Sequence, residues 1–141
     1  MRVLGVDVGE RRIGFALSDP SGSLASPLQV LTVSGGLDDR VEVVALEIDR
    51  LTNQEEGLAA VVVGLPTALD GHPHTQTARV TAFVNALRQR TTLPVAVQDE
   101  RLSSHEAERR LALREKDWRR RKRQLDAASA AVILQDYLEQ L

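Results

Sequence analysis

The stretch "VLGVDVGERRIGFALSD", Val3–Asp19, decides the fold class of this chain. Two short apolar runs, Val3–Val8 and Ile13–Ser18, flank Gly9-Glu10-Arg11-Arg12, and this pattern predicts a β-hairpin. Asp7 stands inside the first strand with valine on either side. A lone buried carboxylate costs several kcal/mol unless it is paired, hydrogen-bonded or bound to metal. Asp7 is therefore either satisfied by structure or held there for chemistry.

Outward from the hairpin, a third strand is expected within Leu24–Val33, where Pro27 points to an edge strand or a bulge because proline donates nothing to the ladder. The period then changes. Leu37, Val41, Val44, Ile48 and Leu51 form the stripe of an amphipathic helix, with Asp38 and Asp39 at its dipole-favoured start. Leu58–Pro66 is a continuous apolar run, as in a strand buried on both faces of a parallel sheet. Further helices are expected over Thr75–Arg90, over Ser103–Glu115 and over Asp126–Leu141, with a strand at Pro94–Glu100. A β-β-β-α-β-α-β-α-α order implies an α/β domain with a mixed sheet and helices on both faces.

A chain of 141 residues suits one domain with a substantial core. No apolar run approaches the length of a membrane span, and the amino terminus enters a strand without a signal-peptide pattern. The absence of cysteine excludes disulfides and thiolate chemistry and suits a cytoplasmic location. Charge is unevenly spread. Gly36–Glu56 holds seven acids against two arginines, whereas Arg101–Arg123 holds ten basic residues against four acids. Such asymmetry suggests an anionic partner met on one side.

Ligands of open α/β sheets gather beyond the carboxyl ends of the strands, and acids recur there. Asp7 lies late in the first strand, Glu100 closes "PVAVQDE", and Asp126 opens the expected last helix, whose "AASAA" permits close approach to the sheet. Converging carboxylates hold hard cations such as Mg2+ or Mn2+. Each acid also has a plainer reading. Asp126 suits a helix N-cap, and Glu100 is placed to pair with Arg101. Asp19 and Asp70 suit turns, as do His72 and His74 in "GHPH". Trp118 suits a packing anchor, with base stacking as the alternative.

"GVDVGERRIGFALSD", "VVVGLPTALDG", "DERLSSHEAE" and "QLDAASAAVILQDYLEQ" together resemble the four motifs of the YqgF family, also called RuvX, within the RNase H-like superfamily. The resemblance spans nearly the whole chain, in order. It implies a five-stranded mixed sheet flanked by helices and a divalent-metal-dependent nuclease, with Asp7, Glu100 and Asp126 as catalytic and metal-binding residues for two ions. The implied substrate is nucleic acid, foremost the 5′ end of pre-16S rRNA, with a Holliday junction or single strands as the alternative. The expected backbone contacts are Arg11, Arg12, Arg101 and the run Arg119, Arg120, Arg121, Lys122 and Arg123, although such a run is as often a solvated loop. The assembly is expected to be a monomer or homodimer. "DERLSS" has serine where the family commonly has threonine, and His-Pro-His replaces a small polar segment in "DGHPHTQT". Two other functions compete: a sugar kinase–actin type phosphate site around Asp7-x-Gly9, for which the chain lacks room for a second lobe, and a nucleic-acid-binding module without catalysis.

Overall fold

The computed structural model describes residues 1–66, 75–99 and 118–141. Strands β1 (Arg2–Val8), β2 (Arg12–Ser18) and β3 (Ala25–Thr32) form an antiparallel meander. Helix α1 (Leu37–Thr52), strand β4 (Leu58–Leu65), helix α2 (Thr75–Arg90) and strand β5 (Val95–Asp99) follow, and the last described element is helix α3 (Trp118–Glu139). The sheet order is β3-β2-β1-β4-β5, with β4 parallel to both β1 and β5. This is the expected five-stranded mixed sheet.

Local chemistry explains several of these elements. The amide of Gly9 donates to the carbonyl of Arg12 at 2.8 Å, and a Cβ on Gly9 would lie 2.8 Å from that same oxygen. The tight hairpin turn therefore requires glycine. Pro27 sits on β3, an edge strand, opposite Ala16, and the register slips between Phe15 and Ala16. Edge and bulge together accommodate the missing donor. Arg2 is buried and donates to the carbonyls of Gly57 (3.1 Å) and Leu51 (3.3 Å) and to Gln54 Oε1 (2.9 Å). It thereby ties the carboxyl end of α1, whose last carbonyls lack helical partners, to the start of β1.

The sheet separates two apolar cores. Leu4, Val6, Ile13, Phe15 and Val63 pack with α1 and α2 residues such as Val44, Ile48, Phe83 and Leu87. Val3, Ala16 and Val62 pack with Ala130, Ile133 and Leu134 of α3. Val61, Val62 and Val63 are all fully buried, as a strand covered on both faces requires. The Val80, Phe83, Val84, Leu87 face of α2 is buried as its spacing predicts. The α1 stripe is buried from Val41 onward, but Leu37 is 41% exposed.

Two expectations need correction. The last helix does not open at Asp126: α3 starts at Trp118, so Asp126 is an interior helix position and the N-cap reading fails. For the same reason Arg119–Arg123 is not a loop but helix. Basic residues are good helix formers, and nothing in "WRRRKRQLD" breaks the backbone ladder. The expected helix at residues 103–115 lies outside the described residues. Among the described residues no helix is long and apolar enough to cross a membrane.

Candidate active site

Side chains alternate across a strand, so the two cores assign the faces of β1. Leu4 and Val6 enter the α1/α2 core and Val3 enters the α3 core. Gly5 and Asp7 thus belong to the α3 face. Asp7 is half-buried, one residue before the end of β1. Its neighbour across the β1–β2 ladder is Gly14, which puts no side chain beside it. No side chain from β2 therefore stands directly beside the carboxylate on the face that α3 covers.

Gly5 explains how closely α3 approaches. A Cβ there would meet Leu134 Cβ at 2.8 Å and the Ala130 carbonyl oxygen at 3.1 Å. Further along α3, Gln135 accepts from the Ala25 amide (2.9 Å) and donates to the Ser23 carbonyl (3.0 Å). Ala25 pairs with Ser18, and Leu17 with Leu4, so Gln135 stands level with the start of β1. Toward its amino end, α3 therefore runs toward the carboxyl end of β1. Position 126 is one turn before Ala130, about 6 Å along the helix. Asp7 is two residues beyond Gly5, about 6.8 Å along the strand. The amino-terminal half of α3, which carries position 126, thus heads toward the sheet edge at which Asp7 stands.

β1, β4 and β5 are parallel and end at one sheet edge, and Asp99, paired with Leu65, is the last residue of β5. Glu100 follows it in sequence and lies outside the described residues, as do Arg101, Asp70, His72 and His74. For Trp118, Arg119, Arg120, Arg121, Lys122, Arg123 and Asp126 the helix backbone is described and the side chains are not. Arg11 is exposed in the hairpin turn, and Arg12 is half-buried at the start of β2 on the same edge. Among the described residues no three His, Cys, Asp or Glu gather as a metal site. Carboxylate oxygens are nevertheless the donor type that magnesium and manganese take, and Asp7 supplies one such group at this edge.

Asp19 has a purely local role, as expected. Its carboxylate accepts from the amides of Ser23 (2.8 Å) and Leu24 (3.0 Å) and from Ser21 Oγ (2.6 Å). The Leu24 amide, the Ser21 hydroxyl and the Ser23 amide, in that order, hold its pKa below the ordinary 3.8. Sequence reasoning missed Gly14 as a feature of the site. Counting the period-2 alternation back from the turn would have set it opposite Asp7.

A relative from Desulforudis audaxviator, named "Putative pre-16S rRNA nuclease", is 39% identical over 140 residues, covering 98% of this chain and 94% of the relative. The Thermus thermophilus RuvC structure solved with a Holliday junction substrate shares the fold, with a TM-score of 0.58 at 18% identity over 99% of this chain and 95% of that one. The polyphosphate/ATP-glucomannokinase of Arthrobacter sp. strain KM also shares the fold (TM-score 0.52, 21% identity), over 75% of this chain but only 47% of the kinase. That likeness is one of fold and says nothing of activity. The model of the family described as "RuvX: Holliday junction resolvase" matches residues 1–140, and the chain belongs to that family.

Proposed function

We propose that this chain is a divalent-metal-dependent nuclease that hydrolyses phosphodiester bonds of nucleic acid, with Asp7, Glu100 and Asp126 as its catalytic carboxylates. The observation that carries this reading is the placement of Asp7 on the α3 face near the end of β1, the edge toward which the amino-terminal half of α3 runs. Glu100 follows the strand that ends at the same edge. Membership of a resolvase family supplies the substrate class.

Three carboxylates of this kind would hold Mg2+ or Mn2+, with two ions the expected number. Bound there, the ions supply Lewis acidity toward the scissile phosphate and activation of the attacking water. The chain's own part is positioning. Asp7 is held by a strand paired on both sides, and α3 is held against that strand by the contact at Gly5. Arg11 and Arg12 at the hairpin edge, with Arg101 and Arg119–Arg123, are suited to phosphate contacts that orient the backbone without reading bases.

The substrate we favour is the 5′ region of pre-16S rRNA, in line with the name of the Desulforudis relative. A four-way DNA junction is the second reading, favoured by the description of the family. One panel tests both: labelled rRNA precursor, single strands, duplex and junction, with magnesium and with manganese, and with Asp7→Asn, Glu100→Gln and Asp126→Asn. Each variant is expected to lose metal-dependent cleavage while keeping most of its binding. Equal cleavage by any one of them would remove that residue from the site, and binding without cleavage by the unaltered protein would leave a non-catalytic module.

A further inference from the structure

A cavity of about 490 Å3 opens on the other face of the same sheet edge. Its apolar wall comes from Val8 of β1, Leu37 at the start of α1 and Ala82 of α2, backed by the buried Val80 and Phe83. Leu37 is the member of the α1 stripe that packing leaves exposed, and this cavity is what it faces. Three charged side chains also line it: Glu10, Arg40 and Arg79. Arg40 donates to the carbonyls of Gly35 (2.6 Å), Gly36 (3.3 Å) and Glu10. Its guanidinium is therefore fixed by backbone, and its charge has no carboxylate partner among the described residues. Arg79 pairs with Glu10 at 3.1 Å, with both side chains largely exposed. Such a rim pair is worth little in solvent and exchanges readily for another anion.

We propose that this cavity is a nucleotide subsite, taking the base of a residue flanking the scissile bond over Val8, Leu37 and Ala82, with Val80 and Phe83 buried behind them, and its phosphate between Arg40 and Arg79. The volume falls in the range of small-ligand pockets, and a flat apolar base with one anionic group matches an apolar wall with arginines at its mouth. Position supports the same occupant. Val8 is adjacent in sequence to Asp7, and alternation sends the two side chains to opposite faces of one strand. The hairpin turn carrying Arg11 and Arg12 lies between the two faces. A strand with its scissile phosphate at Asp7 that crosses this turn would deliver a neighbouring nucleotide to the cavity.

This subsite rests on nucleic acid being the substrate but not on the metal site, so the two can fail separately. The test is a titration of the 15N-labelled full chain with adenosine 5′-monophosphate, and in parallel with adenosine and with inorganic phosphate. The monophosphate should shift the amides of Val8, Leu37, Val80 and Phe83 saturably, and more tightly than either fragment. Arg79→Gln should weaken it about tenfold, the equivalent of one charge-assisted hydrogen bond. Ala82→Trp, at an exposed position on the lining, should block it, and Glu10→Gln, which frees Arg79, should tighten it. Asp7→Asn should bind it as the unaltered chain does, even with cleavage lost. No shifts at the cavity, equal affinity for adenosine, a response to phosphate alone, or indifference to both Arg79→Gln and Ala82→Trp would each overturn the subsite, whatever the chain cleaves.

Discussion

Gly5→Ala isolates the contact that sets the spacing between β1 and α3. The added methyl would lie 2.8 Å from Leu134 Cβ and 3.1 Å from the Ala130 carbonyl oxygen. Neither atom moves with a rotamer, because one is a Cβ and the other is backbone. Relief therefore requires the helix itself to withdraw, by roughly 1 Å if the carbon–carbon contact is to reach an ordinary 3.5–4.0 Å. Overpacking of this kind costs about 1–3 kcal/mol, which is about 3–10 °C in Tm for a domain of this size. The withdrawal also separates position 126 on α3 from Asp7 on β1. A misplacement of about 1 Å is enough to lower a catalysed rate about 100-fold. Calorimetry and cleavage of a single labelled substrate under saturating manganese measure both effects. An unchanged Tm would refute the close contact. A lowered Tm with undiminished cleavage would refute the claim that the β1–α3 spacing sets the site.

Other perturbations follow from the same structure. Neutralising Arg119, Arg120 and Arg121 together should weaken binding to unrelated sequences alike and flatten the log–log salt dependence by about 0.9 for each phosphate no longer neutralised, as read by fluorescence anisotropy across salt. Unchanged slope would make the run a solvated helix face. Arg2→Met should cost about 2 kcal/mol, near 6 °C in Tm, by removing the donors to the Gly57 carbonyl and Gln54 Oε1 and one of the donors to the Leu51 carbonyl; a neutral result would mean water replaces the guanidinium. Asp19→Ala should lower Tm near neutral pH by removing the acceptor for Ser21, Ser23 and Leu24. Because the folded pKa of Asp19 is lowered, its contribution is present above the unfolded value near 3.8 and is lost as pH falls through the folded value. The Tm gap between variant and unaltered protein should therefore close in acid, and a gap independent of pH would contradict the assignment.

Sequence by itself determined most of the architecture, because the relevant physics is local. Period-2 and period-3.6 apolar patterns follow from backbone geometry alone, and they located the hairpin, the α1 stripe, the doubly covered β4 and the buried face of α2. Proline chemistry pointed to an edge or a bulge at β3, since a missing donor is tolerated only there, and the structure has both. Asp7 was legible as a candidate because a carboxylate among valines demands an account wherever it occurs. The start of α3 was not legible. Asp126 suits an N-cap, but a cap is needed only where the helix begins, and the charged residues before it continue the helix equally well. Tertiary structure alone decided what stands beside what. The opposition of Asp7 and Gly14 depends on hairpin register, which a one-residue slip would reverse. How near α3 comes to β1 depends on the absent side chain of Gly5, which lets Leu134 and the Ala130 carbonyl stand against that strand. Leu37 shows the same division: its spacing assigns it to the helix stripe, yet it stays 41% exposed, and only the assembled sheet edge turns it toward a cavity with Arg40 and Arg79.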